Sequence, residues 1–78
     1  MRQWTTTTPD GRRVIVKRHP DGWTVACGDS ETGLRDRLES AVIEAVLMDH
    51  DFVLHSVQFD YAVWSGELVD EIEGWAAG

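Results

Sequence analysis

The tripeptide Pro-Asp-Gly occurs twice in this chain, at residues 9–11 and 20–22, on either side of an apolar run at residues 14–16. In a tight turn, Pro presets the first corner and Gly accepts the positive φ angle that closes it. β-Branched residues between two such turns favour an extended strand. Together with the threonine-rich stretch at residues 4–8, the pattern predicts two hairpins and a three-stranded antiparallel meander.

The two turns also predict which side chains share a face. A three-residue loop at the first turn pairs Trp4 with Val16. At the second turn we prefer a four-residue loop, residues 19–22, because a one-residue slip would bring Lys17 onto the apolar face. This register predicts a buried face with the following members: Trp4, Val14, Val16, Trp23, Val25 and Cys27. The opposite face is then polar and positive.

Apolar residues with three-and-four spacing predict a helix after the meander, ending near Asp49. Three residues can cap its start: Asp29, Ser30 and Thr32. The second half of this helix, residues 41–48, is apolar nearly all round, with only Glu44 clearly polar. We therefore expect that this end is covered by the last helix or forms a homodimer contact.

The last third of the chain is predicted to hold a strand and a short helix. Alternating side chains from Phe52 to Trp64 indicate a fourth strand, most clearly over residues 57–63. Ser65 can cap a final helix over residues 66–76. The predicted fold is a single α+β domain spanning residues 1–78, of order β-β-β-α-β-α. Its antiparallel sheet carries both helices on one face.

The charges of the chain are divided unevenly between its two parts. The formal net charge is −7, yet residues 1–28 hold five of the seven Lys and Arg side chains and only two of the fourteen acids. Residues 29–78 hold the other two cations and twelve acids. This asymmetry has two interpretations: the basic sheet and acidic helices attract each other within the fold, or one of them faces a partner.

The acidic final helix leads to our first functional hypothesis. An acidic surface suits a protein that binds and inhibits or regulates a partner with a basic surface, as antitoxins and nucleic-acid mimics do. Tryptophan is enriched at the energetic centres of interfaces, and four in so small a chain favour binding. The candidate partner-binding residues are Glu67, Asp70, Glu71, Glu73, Trp64 and Trp75.

The basic face of the meander leads to the alternative hypothesis, a nucleic-acid-binding protein. A three-stranded sheet can read a nucleic-acid groove when cations line it. The candidate contacts are Arg12, Arg13, Lys17 and Arg18. The excess of acids in the remainder of the chain opposes this hypothesis, because it repels phosphate.

Sequence motifs for catalysis or cofactor binding are missing, so we expect a protein that is not an enzyme and needs no cofactor or metal. The single Cys27 allows neither an internal disulfide nor a structural zinc site, which favours a reducing, cytoplasmic setting. No stretch of the sequence is long and apolar enough to predict a membrane span. His50 and His55, near several acids, supply a third hypothesis of metal-dependent activity, although their spacing matches no known metal motif.

Three segments resemble the hairpin-then-helix half of HicB-type antitoxins. They are residues 14–16, residues 21–25 and residues 38–45, so that the resemblance covers roughly residues 13–48. The Pro-rich segment expected after the second strand and the separate DNA-binding tail are both missing. The resemblance implies an antitoxin-like role, in agreement with the acidic-partner hypothesis.

Overall fold

The computed structural model describes residues 2–49 and 60–77. Over these ranges the chain forms a four-stranded antiparallel sheet, whose strands lie in chain order, and two helices. The elements are β1 (Arg2–Thr7), β2 (Arg13–His19), β3 (Gly22–Cys27), β4 (Ser30–Glu31), α1 (Leu38–Met48) and α2 (Tyr61–Ala77). The predicted α+β class is confirmed, whereas the described elements follow the order β-β-β-β-α-α.

Both hairpins have the predicted register. Trp4 lies opposite Val16 and Val16 lies opposite Val25, so the apolar side chains of three strands share one face. The glycines that end the two Pro-Asp-Gly turns have positive φ angles, +92° at Gly11 and +154° at Gly22. The turn residues therefore fix the strand pairing.

The core lies between the apolar face of the sheet and the two helices. Val14, Val16, Val25 and Cys27 are fully buried there, and Trp4 and Trp23 pack at its margin. The helices contribute the remaining buried apolar side chains: Leu38, Ala41, Val42, Ala45, Val46, Leu68, Val69 and Ile72. Because both helices cover the same face, the opposite face of the sheet is left uncovered by the described residues.

The predicted start of the first helix is wrong. Helix α1 begins at Leu38, and its N-cap residue Arg37 makes no side-chain capping bond. The expected cap Thr32 instead binds β3, since its N–H donates to the Val25 carbonyl at 2.9 Å and its hydroxyl accepts the Val25 N–H at 3.1 Å. The segment after the meander thus extends the sheet before the helix starts, because the edge of β3 offers free backbone partners.

The predicted fourth strand is wrong where it can be checked. Residues 52–59 lie outside the described ranges, and residues 61–63 belong to helix α2. The Asp60 carboxylate accepts the N–H groups of Ala62 and Val63 at 3.1 and 3.2 Å, which caps the helix five residues before Ser65. Ser65, the expected cap, is fully buried inside the helix.

Within the described ranges, neither helix combines the length and apolar character that crossing a membrane requires.

Candidate protein-binding face

Helix α2 carries an acidic face that points away from the core. Its apolar residues Leu68 and Ile72 pack inward, which leaves the charged positions on the other side of the helix. All four of these acids are exposed: Glu67, Asp70, Glu71 and Glu73. The helix contains no Lys or Arg, and none of the four carboxylates forms an ion pair with any described residue. We call these four residues the acidic face.

The acidic face continues into a cleft at the start of α1. The cleft has a volume of about 330 Å³. Its charged lining consists of Asp36, Glu39, Asp70, Glu73 and Arg37. Trp23, Leu38 and Val69 supply its apolar walls. The cleft therefore combines four carboxylates and one cation with an aromatic wall, a composition that suits the alkyl stem and charged head of a Lys or Arg side chain.

Asp36, Glu39 and Trp23 were not among the predicted site residues. Trp23 lies in β3, Asp36 just before α1 and Glu39 in the first turn of α1, and they meet Asp70 because α1 packs against both β3 and α2. No local sequence pattern signals that meeting.

The tryptophans occupy different positions relative to this face. Trp64 is partly buried and packs against the core. Trp75 lies in the last turn of α2, and its side chain is outside the described part of the structure. Trp23 contacts two neighbours. Its ring centroid lies 6.0 Å from that of Trp4, with the rings tilted by 42°, and the Arg18 guanidinium carbon lies 5.5 Å from the Trp23 centroid. These contacts hold the aromatic wall of the cleft in place.

Arg12, one of the four predicted nucleic-acid contacts, does not lie on the surface. Its side chain is only 8% exposed and its Nε donates to both carboxylate oxygens of Asp10, at 2.9 and 3.1 Å. Its Nη1 donates to the carbonyls of Val46 and Asp49, at 3.2 and 3.0 Å, and lies 3.5 Å from the Asp49 carboxylate. Arg12 therefore caps the C-terminal end of α1, where unpaired carbonyls favour a cation.

The Arg12 cluster, which consists of Asp10, Arg12 and Asp49, lowers the pKa of the Asp10 carboxyl. Burial raises the pKa of the Asp10 carboxyl, but the hydrogen bonds from Thr8 and Arg12 outweigh this effect and hold its pKa below the ordinary value of 3.8. The cluster thus joins the first hairpin turn to the end of α1. Gly28 also packs against this cluster, so closely that a Cβ atom on Gly28 would overlap the Asp49 carboxylate.

The other three predicted nucleic-acid contacts are divided between the two faces of the sheet. Arg13 and Lys17 lie on the uncovered face, on either side of Ile15. Arg18 lies on the helix-covered face at its margin, above Trp23. The structure therefore leaves two of the four candidate contacts on the uncovered face, and Ile15 separates them along the strand.

A cation near the acidic cleft, Arg35, is engaged elsewhere. Its Nε and Nη2 donate to the two Glu44 carboxylate oxygens at 2.8 and 2.7 Å. Its backbone pairs with Trp23 in both directions, at 2.7 and 2.8 Å. The hydrogen bonds from Arg35 lower the pKa of Glu44. Arg35 thus ties β3 to the middle of α1 and does not neutralise the acidic face.

The apolar end of α1 is partly exposed. Leu47 and Met48 retain 43% and 48% of their accessible surface, and Ile43 lies beside them. The described part of the last helix does not cover this end. Its use in a homodimer, one of the two roles expected from the sequence, stays a prediction.

Within the described residues, no arrangement of side chains suits the metal hypothesis, and the one thiol is buried. Cys27 is a buried free thiol, and burial raises its pKa, which keeps it protonated. His50 and His55 lie outside the described ranges. Among the described side chains, no group of three or more His, Cys, Asp and Glu is placed to hold a metal ion.

Comparison with known proteins finds no matching family model, no similar curated protein and no similar solved structure. The resemblance to HicB-type antitoxins therefore depends only on the segments that suggested it.

Proposed function

We propose that this chain is a small, non-enzymatic interaction protein that binds a protein partner through the acidic face, and inhibits or regulates that partner. The observation that carries the proposal is the four exposed carboxylates of α2, which have no ion-pair partner among the described residues. A surface of this kind attracts a basic surface on another protein and accelerates their encounter.

The alternative explanation of the charge asymmetry is attraction within the fold. That explanation requires cations of the sheet to approach the acids of α2. Instead, Arg12 binds acids of its own turn and of the end of α1. Arg18 packs on Trp23, which lines the cleft with Asp70 and Glu73, but in the described part of the chain it forms no ion pair with either acid. Arg13 and Lys17 lie on the face of the sheet that the helices do not cover. The positions of these cations support a partner outside the chain.

Reversing three acids of α2 is expected to abolish partner capture. In a variant with Asp70→Lys, Glu71→Lys and Glu73→Lys, the partner's cations would meet like charges, and affinity should fall by at least about tenfold. The measurement is a pull-down with the tagged chain from lysate of its native host, split into nuclease-treated and untreated halves. Mass spectrometry then identifies a protein that persists after nuclease treatment.

A matched control variant carries Asp21→Lys, Asp29→Lys and Glu31→Lys. These three acids are also exposed, lie in the sheet and its turns, and produce the same change in net charge. We expect the control to retain the partner, and circular dichroism to be unchanged in both variants. Equal capture by the wild type and the α2 variant would contradict the proposal.

The positions of the cations give less support to the nucleic-acid hypothesis than the acidic face gives to protein binding. Proteins that bind duplex DNA through its backbone commonly neutralise about 6–10 phosphates. The uncovered face of the sheet offers Arg13 and Lys17 for that purpose, since Arg12 is buried and Arg18 lies on the other face. Capture that disappears after nuclease treatment, with nucleic acid in the untreated half, would favour this alternative over the acidic-face proposal.

We further propose a cytoplasmic setting, as expected from the sequence. The buried free thiol of Cys27 supports it, because a reducing compartment keeps a lone cysteine reduced.

A further inference from the structure

Strand β1 forms a long edge of the sheet. Within the described residues it pairs only with β2, over all six positions from Arg2 to Thr7 and without a bulge. The edge at the other side, β4, has only two residues. Proteins usually protect an edge by making it short, bulged, rich in Lys or Pro, or by covering it. The short β4 follows that rule, whereas β1 contains neither Lys nor Pro.

The free side of β1 presents backbone groups at alternate residues. The Thr8 N–H donates to the Arg12 carbonyl at 2.8 Å, which fixes the phase of the antiparallel ladder with β2. Trp4 and Thr6 therefore direct their backbone groups toward β2. The residues that direct N–H and C=O groups away from β2 are Gln3, Thr5 and Thr7, all of which are exposed.

A groove runs beside this free edge, between β1 and α2. Its volume is about 190 Å³. Trp4, Leu68 and Ile72 form its apolar part, and Glu71 of the acidic face stands at its rim. A strand added to β1 would place every second side chain over this groove, next to an acid and an apolar wall.

We propose that the groove between β1 and α2 accepts an extended, cationic segment of the partner protein, which adds to the sheet as a fifth strand beside β1. Backbone hydrogen bonds from Gln3, Thr5 and Thr7 would supply affinity, as in other cases of strand addition to a sheet edge. The Glu71 carboxylate at the rim of the groove selects Lys or Arg at the position of the segment that lies beside it. This inference rests on the proposed function, because the same acids attract the partner. It goes further by stating that the bound segment of the partner is an extended strand.

The probe is the synthetic peptide acetyl-Lys-Thr-Val-Thr-Lys-Thr-Val-Thr-amide, in which Lys and Val alternate on one face. At a saturating concentration, amide hydrogen exchange of the full chain is measured by NMR. We expect protection of the Gln3, Thr5 and Thr7 amides to rise by at least about tenfold. The amides of Trp4 and Thr6 already bond to β2 and serve as internal controls. Peptide binding without added protection of the three outward amides would overturn the inference.

Variants of the peptide distinguish the contribution of backbone hydrogen bonds to binding from the contribution of charge. N-methylation of two inner Thr residues and N-methylation of the two Val residues block opposite edges of an extended peptide with the same number of methyl groups. One of the two should weaken binding by at least about tenfold more than the other, and equal effects would overturn the inference. Replacing the Lys residues of the peptide by Glu should remove the added protection of the β1 amides. Equal protection by both peptides would overturn the proposal that the added strand is cationic.

A failure of this inference can be told apart from a failure of the proposed function. Loss of partner capture in the α2 charge-reversal variant, without any protection of β1 by the peptide, would overturn strand addition alone. The same result leaves the acidic face as the binding surface, because capture through α2 does not require the edge of the sheet.

Discussion

Replacing Arg12 with Met is expected to lower the free energy of unfolding by about 3 kcal/mol, because removal of one partner leaves buried carboxylates without a compensating charge. Met fills much of the same space, so the loss measures the guanidinium and not its alkyl stem. The Arg12→Met variant also loses the hydrogen bonds to the Val46 and Asp49 carbonyls. A chain of this length has about 4–12 kcal/mol of total stability, so the urea midpoint should fall clearly.

The neighbouring Arg13 offers a matched control. It is exposed and makes no ion pair with a described residue, so Arg13→Met should change stability by no more than about 0.5 kcal/mol. Both variants have the same chemistry and the same change in net charge. If they lost equal stability, the Arg12 cluster would not be the connection between the first turn and α1 that the structure indicates.

The same cluster is expected to give one component of stability that disappears in acid. Because the folded pKa of Asp10 lies below its ordinary value of 3.8, the ionised carboxylate stabilises the fold fully above that pH. The contribution is lost as the pH falls below 3.8 through the folded pKa, because the carboxylate becomes protonated in the folded state as well. An Asp10→Asn variant should therefore be destabilised at pH 7, and the difference from wild type should shrink below pH 3.8. A difference that is constant with pH would contradict this assignment.

The parts of the fold that were predictable are those in which local sequence decides the geometry. Two Pro-Asp-Gly turns and alternating side chains specify the register from Trp4 to Cys27, since a slip by one residue would expose the apolar face. The start of α1 was not predictable in this way. Ser30 and Thr32 are good cap residues, and they bind β3 instead because the sheet edge competes for them.

The start of α2 depends on a single side chain. The alternation after Phe52 predicts a strand through Val63, whereas the Asp60 carboxylate satisfies two free N–H groups and begins a helix there. Alternation over only three residues, 61–63, cannot distinguish a strand from the first turn of a helix.

The candidate site was predictable in its charge but not in its shape. The four acids of α2 follow from helical spacing alone, because the apolar residues of the same segment define the inward side. The cleft requires Asp36 and Glu39 to meet Asp70, and this meeting depends on the packing of two helices that are distant in sequence. The sequence predicts an exposed Arg12, because arginine is usually exposed. Only the fold brings the carbonyls of Val46 and Asp49 within reach of its side chain.

The cations that form ion pairs within the described residues do not pair with the acids of α2. Arg12 and Arg35 each bind acids within the chain, one at the end of α1 and one in its middle. Neither approaches the acids of α2 in the described ion pairs. The internal ion pairs therefore stabilise the junction between the sheet and α1, and none of them neutralises an acid of α2.

Replacing Gly22 with Ala is expected to produce the largest loss of stability among single substitutions in the turns, about 4 kcal/mol. The φ angle of +154° is costly for any residue with a side chain, and an added Cβ would overlap the Arg35 carbonyl. That carbonyl accepts the Trp23 N–H at 2.7 Å, so the overlap also breaks the bridge that positions the wall of the acidic cleft. Thermal and urea unfolding measure the loss, and exchange of the Arg35 amide with solvent reports the bridge itself.

Gly11 provides the comparison that separates backbone strain from overlap. It ends the other Pro-Asp-Gly turn with a φ angle of +92°, and an added Cβ would meet nothing within 4 Å. The Gly11→Ala variant should therefore lose only the strain of the left-handed region, about 1–2 kcal/mol. The two variants could instead be equally stable, with the Arg35 amide still protected in Gly22→Ala. The second hairpin and the segment before α1 would then pack less closely than in the structure. The larger loss at Gly22 would instead establish that the same hairpin that builds the sheet also holds the entrance of the cleft in place.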